Sequence, residues 1–237
     1  MTEAEHLFVI DYQISQELDN RHGIARASGN LGLIYQKLHR FGEAEIMHNE
    51  ALAIARQLGN REEEARQIGN LGEVKRSLGE VDSAIKHHLR ALAHDEELNN
   101  LEGVARHAGN LGEIHVGTGG LNTAEEFFLR ALNIDEELKN RSGQARHLGN
   151  LGKLHAKTGD VLGASRFVYR AMMLNEGLEK LQDAAQNAAD LADIYVENGN
   201  LIEAKRYYQK AIDFTKDNPA NECRRMWKDS LNRIMSG

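Results

Sequence analysis

Cysteine, proline and aromatic residues are nearly missing from this sequence. Cys223 is the single cysteine, so no disulfide can close within the chain, and such usage fits a reducing compartment. Pro219 is the single proline, which removes the strongest helix breaker from everything before it. Aromatics make up only 5% of the residues, and β-branched runs are few, so helix is expected throughout. No apolar run approaches the roughly 20 residues that span a bilayer. The start, Met1-Thr2-Glu3-Ala4-Glu5, is acidic and unlike a signal peptide. A cytoplasmic protein without membrane insertion is therefore expected. Positive charge is also in deficit: the formal net charge of −7 disfavours a nucleic-acid partner. No Gly-rich phosphate loop follows a strand, and no acid–base pair or activated nucleophile emerges, so neither an enzyme nor a cofactor is expected. Cys223 has no partnered catalytic pattern around it.

What the sequence does have is a period. Gly-Asn-Leu-Gly occurs at Gly29-Asn30-Leu31-Gly32, Gly69-Asn70-Leu71-Gly72, Gly109-Asn110-Leu111-Gly112 and Gly149-Asn150-Leu151-Gly152, each 40 residues after the last. A worn copy, Ala189-Asp190-Leu191-Ala192, follows one period later. A fixed period of this length signals an array of stacked repeats. The predicted organisation is a half repeat at 1–20, five helix pairs at 21–60, 61–100, 101–140, 141–180 and 181–218, and a capping helix at 219–237. In the half repeat, Leu7, Ile10, Ile14 and Leu18 mark one amphipathic helix that aligns with 43–58. Turns are predicted at Phe41-Gly42, Gly79, Gly119-Gly120, Gly159 and Gly199, where glycine accepts the left-handed backbone that ends a helix, each with an apolar residue to plug the corner. Gly59-Asn60, Asn99-Asn100 and Lys139-Asn140 are given the same task between units.

The columns around this period resemble the tetratricopeptide repeat. Leu111-Gly112 leads to Gly119, Ala124, Phe128 and Ala131, and Leu191-Ala192 leads to Tyr195, Gly199, Ala204, Tyr208 and Ala211. The usual repeat has 34 residues and a boundary proline; here the repeat has 40 and the proline is missing. Six more residues per unit imply helices of about 18 residues, roughly 27 Å long. That long form, with Gly-x-Ala-Arg before the Asn, is similar to Partner-of-Inscuteable-type arrays and, more loosely, to those of kinesin light chains. The resemblance implies an all-α, right-handed solenoid whose first helices line a concave groove, and a role as a scaffold or adaptor binding an extended peptide segment of a partner.

Two ladders are the candidate peptide-binding residues. One is Asn30, Asn70, Asn110 and Asn150, with Asp190 in the fifth place; the other, four residues earlier, is Arg26, Arg66, Arg106 and Arg146, with Gln186 fifth. A spacing of four puts both on one helix face, and the resemblance puts that face in the groove. An Asn amide both donates and accepts, as a peptide group does, and Arg offers a fork for carboxylates. A ligand that is extended and partly acidic is therefore expected. Four rungs at the usual 8–10 Å helix spacing would take about eight or nine extended residues. The rung glycines each cost a helix about 1 kcal/mol relative to Ala, which close approach of a ligand backbone would offset. Structural readings compete: Asn could tie repeats together, and Arg could pair with Glu73, Glu113 or Asp193. The histidines, including the columns His107/His147 and His115/His155, are read as packing or rim residues, since equivalent positions in successive repeats lie too far apart to share a metal. His87-His88 is expected to split between the outer face and the helix-pair seam. Two other functions stay open: a self-assembling array that stacks through its terminal half repeats, and a peptide-sensing regulator.

Overall fold

The structure, a computed structural model, describes residues 3–217 and 222–236. The described residues form twelve α-helices and no strand. They are α1 (Glu3–Glu17), α2 (Arg21–Lys37), α3 (Phe41–Gln57), α4 (Arg61–Ser77), α5 (Val81–Glu97), α6 (Leu101–Thr118), α7 (Leu121–Glu137), α8 (Arg141–Lys157), α9 (Val161–Gly177), α10 (Leu181–Glu197), α11 (Leu201–Phe214) and α12 (Glu222–Ser236). Helices α2, α4, α6, α8 and α10 begin at 21, 61, 101, 141 and 181, where the five predicted helix pairs begin. Pro219 and the start of the predicted capping segment lie outside the described residues.

The junctions explain why helices follow one another with almost no linker. At the end of α3, Gly59 takes a φ of +65° and its N–H donates to Arg56 O at 3.1 Å, while Asn60 N–H donates back to Ala55 O at 2.9 Å. That pair of bonds is a Schellman closure, which satisfies carbonyls the helix leaves open. The same Asn60 is the N-cap of α4, its Oδ1 accepting from Glu63 N–H at 3.1 Å. Asn99 and Lys139 hold the left-handed position at the corresponding sites, as expected, and Gly79, Gly119, Gly159 and Gly199 hold it between the helices of a pair. The first such turn differs from the sequence reading. His39, at φ +58°, ends α2, while Phe41 and Gly42 belong to the first turn of α3. The corner residues Val81, Leu121 and Val161 are half-buried, but Leu201 is exposed.

The contacts divide the chain into two units, residues 1–114 and 115–237. In the first, α1 packs on α2, α2 on α3, α3 on α4 and α4 on α5. In the second, consecutive helices from α7 to α12 pack in the same serial way. Small residues make this possible: Ala44, Ala84, Ala124, Ala164 and Ala204 are each fully buried, as are Ala51, Ala91, Ala131, Ala171 and Ala211. The Leu column of the repeated motif is core in every copy, from Leu31 to Leu191. In the second unit, the last cluster gathers Tyr207, Tyr208 and Ile212 with Trp227, and Leu231 and Ile234 pack against it. Thus α12 packs over the apolar residues of α11 in that cluster.

Candidate functional site

The two ladders sit on α2, α4, α6, α8 and α10 and are accessible. Arg26, Arg66, Arg106, Arg146 and Gln186 are exposed, and Asn30, Asn70, Asn110, Asn150 and Asp190 are half-buried. Helical spacing alone accounts for the shared face, and in the last rung Gln186 Nε2 donates to Asp190 Oδ1 at 2.8 Å. Glu73 and Asp193, two of the competing partners of the Arg ladder, have contacts elsewhere. Glu73 accepts from Arg76, at 2.7 Å, and lies 3.2 Å from His88 Nε2. Burial opposes the Glu73 charge, yet those two partners hold its carboxyl down at about 2. Asp193 accepts from the Tyr208 hydroxyl. Arg26 reaches Asp11 at 3.3 Å, Arg66 pairs with Glu63, and Arg106 and Arg146 each lie 3.4 Å from the imidazole Nε2 of the following residue.

In the second unit the ladder residues line a cavity of about 550 Å³. Arg146, Asn150 and Lys153 of α8 face Lys180, Gln186 and Asn187 across it. Lys180 Nζ donates to Ser142 Oγ at 3.0 Å, which holds that ammonium at the rim. Three cations, carboxamides and one carboxylate, Asp183, make this a polar, largely cationic recess. The first unit has a smaller one, about 250 Å³, that brings Arg66 and Arg106 together with Asn60, Asn100, Glu63 and the buried Asp95. The structure therefore joins Arg146 to Asn150 in one recess and Arg66 to Arg106 in another. Lys180 and Asn187, which the ladders did not include, belong to the second unit's recess.

The glycines of the motif turn out to make room inside the protein. A Cβ on Gly69 would meet His107 Cε1 at 2.2 Å, and one on Gly29 would meet Gln67 Nε2 at 2.8 Å. A Cβ on Gly72 would meet His88 Nε2 at 2.8 Å, and on Gly152 it would meet Val168 Cγ2 at 2.3 Å. The helix cost of Gly29, Gly69, Gly72 and Gly152 is thus offset by the room they leave for side chains of neighbouring helices, whereas a Cβ on Gly149 would meet only Asn187 Nδ2, at an ordinary 3.7 Å. The histidines fill the space. His48, His88, His107 and His147 are fully buried, so of the two readings, packing or rim, the last two are packing residues. His88 Nδ1 lies 3.4 Å from His107 Nδ1, and His107 Nε2 lies 3.3 Å from Asp95 Oδ2. Asp95 also accepts from Asn100 Nδ2 at 2.8 Å, so one carboxylate links the N-cap of α6 to a buried imidazole. The same set recurs as Asp135, Asn140 and His147. Its sequence signal is the recurrence of Asp, Asn, Gly and His at one spacing in 95–107 and 135–147, a pattern distinct from the two ladders. His115 and His155 are half-buried and pack against Phe127 and Phe167. Among the described residues, no group of three or more His, Cys, Asp or Glu could hold a metal ion, and no helix is long and apolar enough to cross a membrane.

Serial helix pairs, a buried small-residue seam and polar recesses on the first helices define a class of repeat scaffold. The chain belongs to the tetratricopeptide repeat family, whose model matches residues 1–57 and 63–137; a second tetratricopeptide model matches 185–218. Proteins of this family are generally interaction scaffolds without catalytic activity. No curated protein sequence matches. Among solved structures, the fold is similar to BtubC (BKLC) from P. vanneervenii, at a TM-score of 0.81 and 21% identity over 90% of each chain. It is also similar to a putative kinesin light chain of Podosopora anserina with nearly identical TPR-like repeats, at a TM-score of 0.67 and 17% identity over 82% of this chain and 96% of that one. A third is the apo form of the quorum sensor NprR from B. thuringiensis, at a TM-score of 0.72 and 14% identity over 94% of this chain and 62% of that one. At these identities the likeness is one of fold.

Proposed function

We propose that this protein is a scaffold that binds an extended segment of a partner protein on the faces made by its first helices. The observation that carries this reading is the recess of the second unit, where Arg146 and Asn150 converge with Lys153 and Lys180 on one accessible surface. The Asn150 amide carries a donor and an acceptor, as a peptide group does, whatever the ligand side chain. Arg146 takes an acidic side chain through a charge-assisted pair. In the first unit, Arg66 and Arg106 play the corresponding part, with the half-buried Asn30, Asn70 and Asn110 available to the ligand backbone.

The test begins with a pull-down on the purified chain, the captured partner being mapped to its shortest binding segment. Asn150→Ala is expected to weaken binding of that segment and of its sequence variants alike. Arg146→Ala is expected to penalise acidic segments most, with an effect that shrinks as salt rises. Because Arg146 is exposed, Arg146→Ala should not move the melting temperature by more than about a degree or two. A large fall in melting temperature with affinity intact would return both side chains to a structural role and overturn the reading.

A further inference from the structure

Beside the cationic recess of the second unit lies a second pocket of opposite character. It is about 180 Å³ in volume, shares Lys153 with its neighbour, and is floored by Ala156, Val168 and Ile194. Its rim is acidic: Asp190, Asp193 and Glu197, at spacings that put all three on one face of α10. Asp190 Oδ2 is buried without a hydrogen-bond partner, the nearest cation being Lys153 Nζ at 3.8 Å. Three carboxylates around an apolar floor are repulsive to one another as they stand. Burial, and then the charges of Asp190 and Glu197, push the Asp193 carboxyl up, although the Tyr208 hydroxyl works against this. An arginine or lysine side chain answers both halves of the pocket, its methylene stem lying on the floor and its charged head meeting the rim.

We infer that the α8/α10 face selects a segment of mixed charge, with an acidic residue held in the cationic recess and an arginine or lysine held in the acid-rimmed pocket. This rests on the scaffold reading and adds the partner's chemistry to it. The spacing follows from the helices that carry the two pockets. Arg146 and Ala156 on α8, and Asp183 and Asp193 on α10, are each ten residues apart, which is about 15 Å of helix axis. An extended chain covers that in about four or five residues. The segment therefore lies along the α8/α10 seam. A purely acidic ligand would bring no cation to the carboxylates of the second pocket.

The probe is an array of synthetic peptides on a Ser/Gly background, with two charged positions three, four or five residues apart. The four charge patterns are Glu/Arg, Arg/Glu, Glu/Glu and Arg/Arg. The wild-type chain should hold one mixed pattern at least tenfold more tightly than either like-charged one. Glu197→Arg, a change at an exposed position, should move the preference towards Glu/Glu, and Arg146→Glu should move it towards Arg/Arg. Circular dichroism checks that each variant is folded. Equal retention of Glu/Glu by the wild-type chain, or an unchanged preference in folded Glu197→Arg, overturns the mixed-charge inference while leaving peptide binding intact. An array that retains no peptide also overturns it, and the scaffold reading then stands or falls on the pull-down alone.

Discussion

Gly152 shows how much a missing side chain can decide. A Cβ there would lie 2.3 Å from Val168 Cγ2, 3.1 Å from Val168 N and 3.3 Å from Ala164 O, so backbone as well as side chain would have to shift. Gly152→Ala should therefore cost about 1–3 kcal/mol. Gly117 on α6 has nothing within 4 Å of the same added carbon, so Gly117→Ala should be neutral or stabilise by up to about 1 kcal/mol. Urea midpoints of the two variants check this, and shifts of the same sign would mean that neighbour packing does not govern these glycines. Buried imidazoles carry a second residue-scale consequence. His48 is fully enclosed, with Gln67 Oε1 2.7 Å from its Nδ1, and Gln67 in turn donates to Glu63 at 2.5 Å. Burial pushes the His48 pKa down, and the Gln67 contact only partly opposes it. The unfolded chain then takes up a proton near pH 6.5, where the folded chain does not. Stability is fully present above that point and is lost as pH falls through and below it. Replacing His48 with Phe, the residue found two periods on at Phe128, should flatten the fall in urea midpoint between about pH 7.5 and about pH 5. An identical pH dependence in the variant would remove His48 from the account. The motif glycines and histidines were plain in the sequence, but their partnership was not. It depends on which helix faces which, and spacing along one helix does not encode that.

At the scale of the element, the helix junctions do two things with one side chain. Asn100 accepts from Gly103 N–H as the cap of α6 and donates to the buried Asp95. Asn200 caps α11 through Glu203 N–H at 3.3 Å. Asn200→Ala should cost about 1 kcal/mol, the ordinary loss of a cap. Asn100→Ala should cost more, by about 1–3 kcal/mol, because it also strips a buried carboxylate of a donor. Equal losses in thermal melts would show that Asp95 finds another donor. The helices themselves were legible because period, apolar columns and Gly or Asn stops agree at each boundary. The one misplaced turn, at Phe41-Gly42, followed from trusting glycine as the stop. His39 takes the left-handed backbone there, and Gly42, inside α3, has open space around it.

At the scale of the molecule, serial packing means that each helix depends chiefly on its neighbours. Trp227, the only tryptophan, is buried where α12 meets the last core cluster. Its fluorescence should change at lower urea than the far-ultraviolet dichroism of the whole chain, since α12 packs chiefly on α11. Coincident midpoints would mean that the array unfolds as one cooperative body. Leu111, fully buried in α6, offers the contrast: Leu111→Ala should cost about 2–5 kcal/mol.

The sequence by itself determined the helical class, the repeat length, the positions of the helices and the accessible ladders, because these rest on local periodicity and on backbone preferences that act within a few residues. Tertiary structure alone decided what the motif glycines and buried histidines do, and which ladder residues share a recess. It also placed an acid-rimmed pocket next to the cationic one. Those outcomes depend on side chains from different helices meeting. Arg146 and Lys180, or Asp190 and Val168, become neighbours only when the helices pack.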